Sequence, residues 1–255
     1  MRFNTDRLFF LSLGVAVSAA PVQELNERDL VERGAGFNTF LSILLSNLPV
    51  IDTTITQGTS LITDFDNVLG ALTGAQTTYN ELGGTCRKYT VIFARGTAEP
   101  GNVGVLVGPP LFDAMDDQFG SSAITVQGVN DYSASVQGYL AGGDPNGSAE
   151  MARQIKAAKA QCPGTKLIAS GYSQGCQIVH NAINQLDSVT ASWISSVLLF
   201  GDPLKGQAMN SVPASRVFTA CHAADDICKD GILIGPSHLT YAVDAVNAVK
   251  FAASL

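Results

Sequence analysis

The 255 residues are enough for one domain with a substantial core. Hydrophobic residues make up 46% and charged residues 15%, the balance of a globular protein with a lightly charged surface. A formal net charge of -7 argues against nucleic acid, whose phosphates need basic patches, and against a polybasic membrane anchor.

The N-terminus reads as an export signal over residues 1–19. Arg2 and Arg7 form a positive start, Leu8 to Val17 a short apolar run, and Val17-Ser18-Ala19 a small-residue cleavage site. A bilayer span needs roughly 20 apolar residues, about twice this run, and no later stretch is long and charge-free enough. Residues 20–33 are charged and read as a pro-segment trimmed near Arg33. Residues 34–85 form an apolar extension. Phe37, Phe40, Leu41, Leu44, Leu45 and Leu48 fall at helical spacing, Pro49 ends that pattern, and Leu61 to Leu72 repeats it more weakly. Gly83-Gly84 marks the break before a main domain at 86–255.

From Cys86 onward, short β-rich runs alternate with helical ones. Strands are expected at Tyr89–Ala94, Ala123–Val126, Lys166–Ser170, Ser196–Phe200 and Arg216–Ala220. Helices are expected at Ala149–Ala160, Gln174–Leu186 and Leu239–Ala252. Such alternation implies an α/β fold, a parallel sheet with both faces covered. Five cysteines in an exported protein suggest two disulfides and one remaining thiol. Cys221 and Cys228 would close a tight loop and Cys86 and Cys162 a long one, although spacing does not fix the pairing.

The central signal is Gly171-Tyr172-Ser173-Gln174-Gly175, a GxSxG that follows an apolar strand and opens a helix. The turn must be sharp to push the Ser173 hydroxyl clear of the sheet, and side chains at the flanking glycines would clash. N–H groups at the start of the following helix can hold a developing oxyanion. Serine needs a base. His180 lies on the nucleophile's own helix, about 10 Å along its axis from Ser173. His222 precedes the acidic pair, so the chain order Ser, acid, His selects His238. For the acid, Asp225, Asp226 and Asp202 all stay open. The first two sit inside the small Cys221 to Cys228 loop, and Asp202 ends a strand. No metal or other cofactor is implied, since no cysteine–histidine cluster has usable spacing.

Phe93-Ala94-Arg95-Gly96-Thr97, the GxSxG, and Cys221-x3-Asp225-x2-Cys228 followed by Pro236-x-His238 resemble the fungal cutinases, secreted serine esterases. The likeness runs from about Cys86 to the C-terminus. The resemblance implies an α/β-hydrolase-type three-layer sandwich: a central, mostly parallel five-stranded sheet flanked by helices, without a large lid. It implies cleavage of cutin polyester and short-chain soluble esters. Its triad falls on Ser173, Asp225 and His238. Its oxyanion hole falls on the N–H of Gln174 and the N–H and hydroxyl of Thr97, where serine is common. Its disulfides fall on Cys86–Cys162 and Cys221–Cys228, which leaves Cys176 as a buried packing thiol. Two loops would wall the acyl site, one at Leu140–Gly147 and one with Ile232, Leu233 and Ile234. Tyr172, Ile232 and Ile234 are the substrate-binding candidates. Asn146-Gly147-Ser148 is a glycosylation sequon in the first of these loops. The segment from Phe37 to Leu72 has no place in the short family pattern. It could pack behind the sheet, form a dimer contact, or lean over the site. The expected protein is a secreted, extracellular monomer. Competing readings are an acetyl xylan or other carbohydrate esterase, a small lipase, or a secreted binding protein on a hydrolase fold.

Overall fold

The computed structural model describes residues 35–255, so the predicted export signal (1–19) and pro-segment (20–33) lie outside the described residues. Five strands form the central sheet: β2 (Tyr89–Ala94), β3 (Ile124–Gly128), β4 (Lys166–Tyr172), β5 (Ser196–Phe200) and β6 (Val217–Ala220). Their order is β3-β2-β4-β5-β6 and every pairing is parallel. β2 is buried at all six positions, which explains its unbroken apolar run. Along β2, Val91 and Phe93 face one apolar layer while Ile92 and Ala94 face the other. Leu198 and Leu199 divide the same way on β5.

Helices cover both faces. α5 (Pro145–Gln161) and α6 (Gln174–Asn184) fill one layer through Met151, Ile155, Ile178 and Ile183. α5 starts where Asp144 accepts the N–H groups of Asn146 and Gly147 and Pro145 takes the first helical position. The opposite layer holds α3 (Gly108–Phe119) and α8 (Ala245–Ala253) through Leu111, Met115, Ala248 and Val249. α8 is preceded by a run of 3-10 turns, Pro236–Asp244, so only the second half of the expected Leu239–Ala252 helix is α-helical.

The N-terminal extension joins that second layer. α1 (Ala35–Ser46) buries Phe37, Phe40, Leu41 and Leu44 in the shared core. α2 (Ile55–Thr73) buries Ile55, Ile62, Phe65 and Leu69. Between them β1 (Thr53–Thr54) pairs antiparallel with β7 (Leu233–Ile234), and Ile55 donates its N–H to the Ile232 carbonyl at 2.8 Å. The extension is thereby stitched to the loop that leads into His238. Disulfides join Cys86 to Cys162 and Cys221 to Cys228. Cys176 is buried, its thiol donating to the Gly171 carbonyl at 3.1 Å.

Candidate active site

Ser173 sits at the C-terminal end of β4, in the turn into α6, with φ 55° and ψ −122°. A non-glycine residue is strained there, and the strain is held by close packing on both sides. A Cβ at Gly175 would stand 2.0 Å from the Ala94 carbonyl oxygen of β2, and one at Gly171 would stand 2.4 Å from the Gly175 oxygen. The two glycines therefore let strand, turn and helix approach closely enough to present the hydroxyl. Gln174 begins α6. Its side-chain amide donates to Thr97 Oγ1 at 2.8 Å and to the Ser135 carbonyl at 2.7 Å. A Thr97 oxygen that already accepts can turn its own hydrogen toward the neighbouring cavity.

His238 opens the 3-10 run, and its Nδ1 lies 2.8 Å from Asp225 Oδ2. Both side chains are buried. Asp225 Oδ2 also accepts the Tyr241 hydroxyl at 2.6 Å, and Oδ1 accepts the Ile227 N–H at 3.0 Å. Burial alone would raise the Asp225 pKa. The hydrogen bond and charge of His238, with the Tyr241 and Ile227 bonds, hold it below the usual carboxylate value instead. The other two acid candidates are engaged elsewhere. Asp226 Oδ2 accepts the N–H groups of Ile232 and Leu233, each at 3.1 Å, and shapes the turn leaving the disulfide ring. Asp202 pairs with His180 at 3.0 Å, both buried. His222 pairs with Asp244 at 2.8 Å.

Ser173 and His238 line one narrow cavity with Thr97, Glu99, Tyr172, Leu106, Ile234 and Leu239. Tyr172 stacks on His238 at 5.1 Å, and its hydroxyl donates to the His238 carbonyl at 2.9 Å. It thus holds His238 in place as well as walling the cavity. Ile55, Thr59 and Ile62 of α2 form the remaining wall. Of the three places open to the N-terminal extension, it takes two: α1 packs into the layer against the sheet, and α2 leans over the site. The interior is about 20 Å³, room for about one water molecule.

Sequence reasoning did not single out Ile55, Thr59, Ile62 or Glu99 as lining the site. Glu99 is buried and accepts N–H groups from Gly96, Val105 and Leu106 at 2.7, 3.0 and 3.0 Å, which fixes the loop that carries Thr97. Two expected walls lie elsewhere. Ile232 is exposed, because it belongs to the turn held by Asp226 and Ile55 rather than to β7. Leu140–Gly147 does not line the cavity. Its end caps and starts α5, and Asn146 is exposed on that first turn. Among the described residues, no three His, Cys, Asp or Glu side chains converge as metal ligands, and no helix is long and apolar enough to cross a membrane.

The family model for cutinase matches residues 85–255. A cutinase from Hypocrea jecorina is 45% identical over 91% of this chain and 90% of its own length. That alignment reaches beyond the family model into the N-terminal helices. The solved structure of Trichoderma reesei cutinase in complex with a C11Y4 phosphonate inhibitor superposes with a TM-score of 0.71 at 43% identity, over 84% of this chain and 95% of that one. An acetylxylan esterase shares the fold alone, with a TM-score of 0.56 and 22% identity over 67% of this chain and 99% of its own.

Proposed function

The chain belongs to the cutinase family and is a serine ester hydrolase; from there we propose that Ser173, His238 and Asp225 carry the reaction on cutin polyester and short-chain soluble esters. The observation that carries this reading is the strained Ser173 sharing one cavity with His238, whose Nδ1 is bonded to a buried Asp225.

His238 takes the proton as the Ser173 hydroxyl attacks the ester carbonyl. The N–H groups of Gln174 and Thr97, with the Thr97 hydroxyl, stabilise the oxyanion. Asp225 orients the imidazole and offsets its positive charge. The alcohol leaves with the proton from His238, and a water activated by the same base then frees the acid. Ile55, Ile62, Leu106, Ile234 and Leu239 give the cavity an aliphatic lining suited to an acyl chain. The Thr59 and Tyr172 hydroxyls in that lining already donate to the Ile55 and His238 carbonyls, which favours the polyester reading over a carbohydrate esterase. We place the protein outside the cell as a monomer. Two disulfides suit an oxidising compartment.

Hydrolysis of p-nitrophenyl acetate, butyrate and palmitate tests the substrate class. Butyrate as the best substrate, with release of hydroxy acids from cutin, is the expected result. Activity on acetate alone would point to a carbohydrate esterase, and a preference for palmitate to a lipase.

A further inference from the structure

Tyr241 lies three residues beyond His238 and is completely buried, and no step above uses its hydroxyl. That hydroxyl donates to Asp225 Oδ2 at 2.6 Å, the same oxygen that faces His238 Nδ1 at 2.8 Å. It also accepts the backbone N–H of His222 at 3.0 Å. The Cys228 sulfur, committed to its disulfide, lies 3.4 Å away and can only accept weakly. A phenol has one hydrogen, so its proton is committed to the carboxylate.

The ring rests on a second histidine. His222 stacks beneath Tyr241 with centroids 4.1 Å apart and planes 21° from parallel. Its Nδ1 lies 2.7 Å from the Ser237 carbonyl and its Nε2 2.8 Å from Asp244 Oδ2. Both partners can accept, so the geometry favours a hydrogen on each ring nitrogen and thus the imidazolium form of His222. Burial alone would lower its pKa, but the bonds to Asp244 and to the Ser237 carbonyl, with the charges of Asp244 and Asp225, raise it above the ordinary value. Ser237 immediately precedes His238. The His222 ring therefore ties the backbone of the base to Asp244, which immediately precedes α8.

We propose that Tyr241, seated on His222, is a positioning residue of the esterase, whose hydroxyl fixes Asp225 Oδ2 and shares its charge with His238. The proposal rests on the assignment of Ser173, His238 and Asp225 above. Two donors on one oxygen hold the carboxylate in a single orientation. The phenol also draws charge from Asp225, so its loss strengthens the hold of Asp225 on a protonated His238. The titratable groups around Tyr241 are Asp225, His222, His238 and Asp244, and Tyr172 lies 6.2 Å away ring to ring.

Tyr241→Phe removes one oxygen and keeps the ring. The expected result is a kcat about tenfold lower with KM nearly unchanged, and an acidic limb of the kcat profile displaced to higher pH. In an Asp225→Asn background the same change should cost less than about twofold, because the carboxylate it acts through is gone. Wild-type kcat with an unmoved limb, or an equal loss in both backgrounds, overturns the proposal. If thermal melting shows that Tyr241→Phe does not fold, His222→Gln decides. A folded His222→Gln should lose kcat about threefold with the same displacement of the limb. A folded variant with wild-type kcat and an unmoved profile overturns it. Full activity in Asp225→Asn alone would instead sink the triad assignment, a failure distinct from that of Tyr241.

Discussion

The two walls of the catalytic cavity are built on different terms. On one side, the turn carrying Ser173 is fixed by backbone against backbone. Gly175 packs where a single Cβ would overlap the Ala94 carbonyl, and Ser173 is held at a positive φ. On the other side, α2 is held by side chains and a two-residue strand pair, Thr53 to Ile234 and Thr54 to Leu233. It also buries Asp66, whose two carboxylate oxygens have no hydrogen-bond partner. The wall that carries Ser173 is fixed by backbone packing, and the wall formed by α2 by side-chain packing that encloses an unsatisfied carboxylate. Strain is held where close backbone packing surrounds it.

The sharpest way to break this contrast is at the rigid wall. Asp225→Asn should lower kcat by about 10⁴-fold with little change in the fold, since the amide favours the wrong tautomer of His238. Circular dichroism with steady-state kinetics would separate the two effects. Gly175→Ala should be nearly as severe for a different reason. It forces β2 and α6 apart and costs at least about 3 kcal/mol, read as a lowered urea midpoint. An alanine there that leaves both stability and kcat untouched would show that the turn is not fixed as described.

The covering wall should respond more gently and in the opposite sense. Ile62→Ala trims α2 where it lines the cavity with Ser173 and should raise kcat/KM for bulky esters several-fold, while costing about 1–3 kcal/mol of stability. A fall in kcat/KM for those esters would mean that α2 contributes binding and does not restrict entry.

Asp66 gives the smallest effect and a pH signature. Burial, and then the charge of Glu99, raise its pKa well above the ordinary value. Burial raises Glu99 too, against the N–H bonds from Leu106, Gly96 and Val105 and the charge of Arg95. The folded state therefore binds protons more tightly than the unfolded one at both groups. Their contribution to stability is complete below their unfolded pKa values and is lost as pH rises through the folded ones. The packing of α2 should loosen from acid toward neutral pH. Asp66→Asn should flatten that dependence and raise the melting temperature at neutral pH by about 2–4 °C, with little change in acid. An equal shift at both pH values would remove Asp66 from the account.

Much of the wall that carries Ser173 was legible in the sequence, and less of the wall formed by α2. β2 and β5 begin and end where the apolar runs Tyr89–Ala94 and Ser196–Phe200 place them, because strands buried on both faces leave an uninterrupted signal. Gly171, Ser173 and Gly175 announced the turn by type and spacing alone. α3 was hidden because Gly108-Pro109-Pro110 reads as loop, although proline is tolerated in a first helical turn. α2 begins six residues before the expected Leu61. Its first turns are Thr- and Gly-rich, and their place is set by burial of Ile55 and Gly58. Residue chemistry alone left the acid open among Asp202, Asp225 and Asp226, and the motif resemblance pointed to Asp225. Each is a sensible turn residue, and only tertiary structure distributes them to His180, His238 and the Ile232–Leu233 backbone. Tyr241 carried one faint mark, its place three residues after His238 in the closing helical run.

The central claim is that Ser173 is the nucleophile, and covalent labelling tests it most directly. An activated alkyl phosphonate ester transfers its phosphonyl group to the attacking hydroxyl and releases its alcohol. The account predicts one adduct per chain, located by mass spectrometry on the tryptic peptide Leu167–Lys205 at Ser173. The adduct and ester hydrolysis should both be lost in Ser173→Ala. An adduct on another residue, or hydrolysis that survives Ser173→Ala at the wild-type rate, would contradict it.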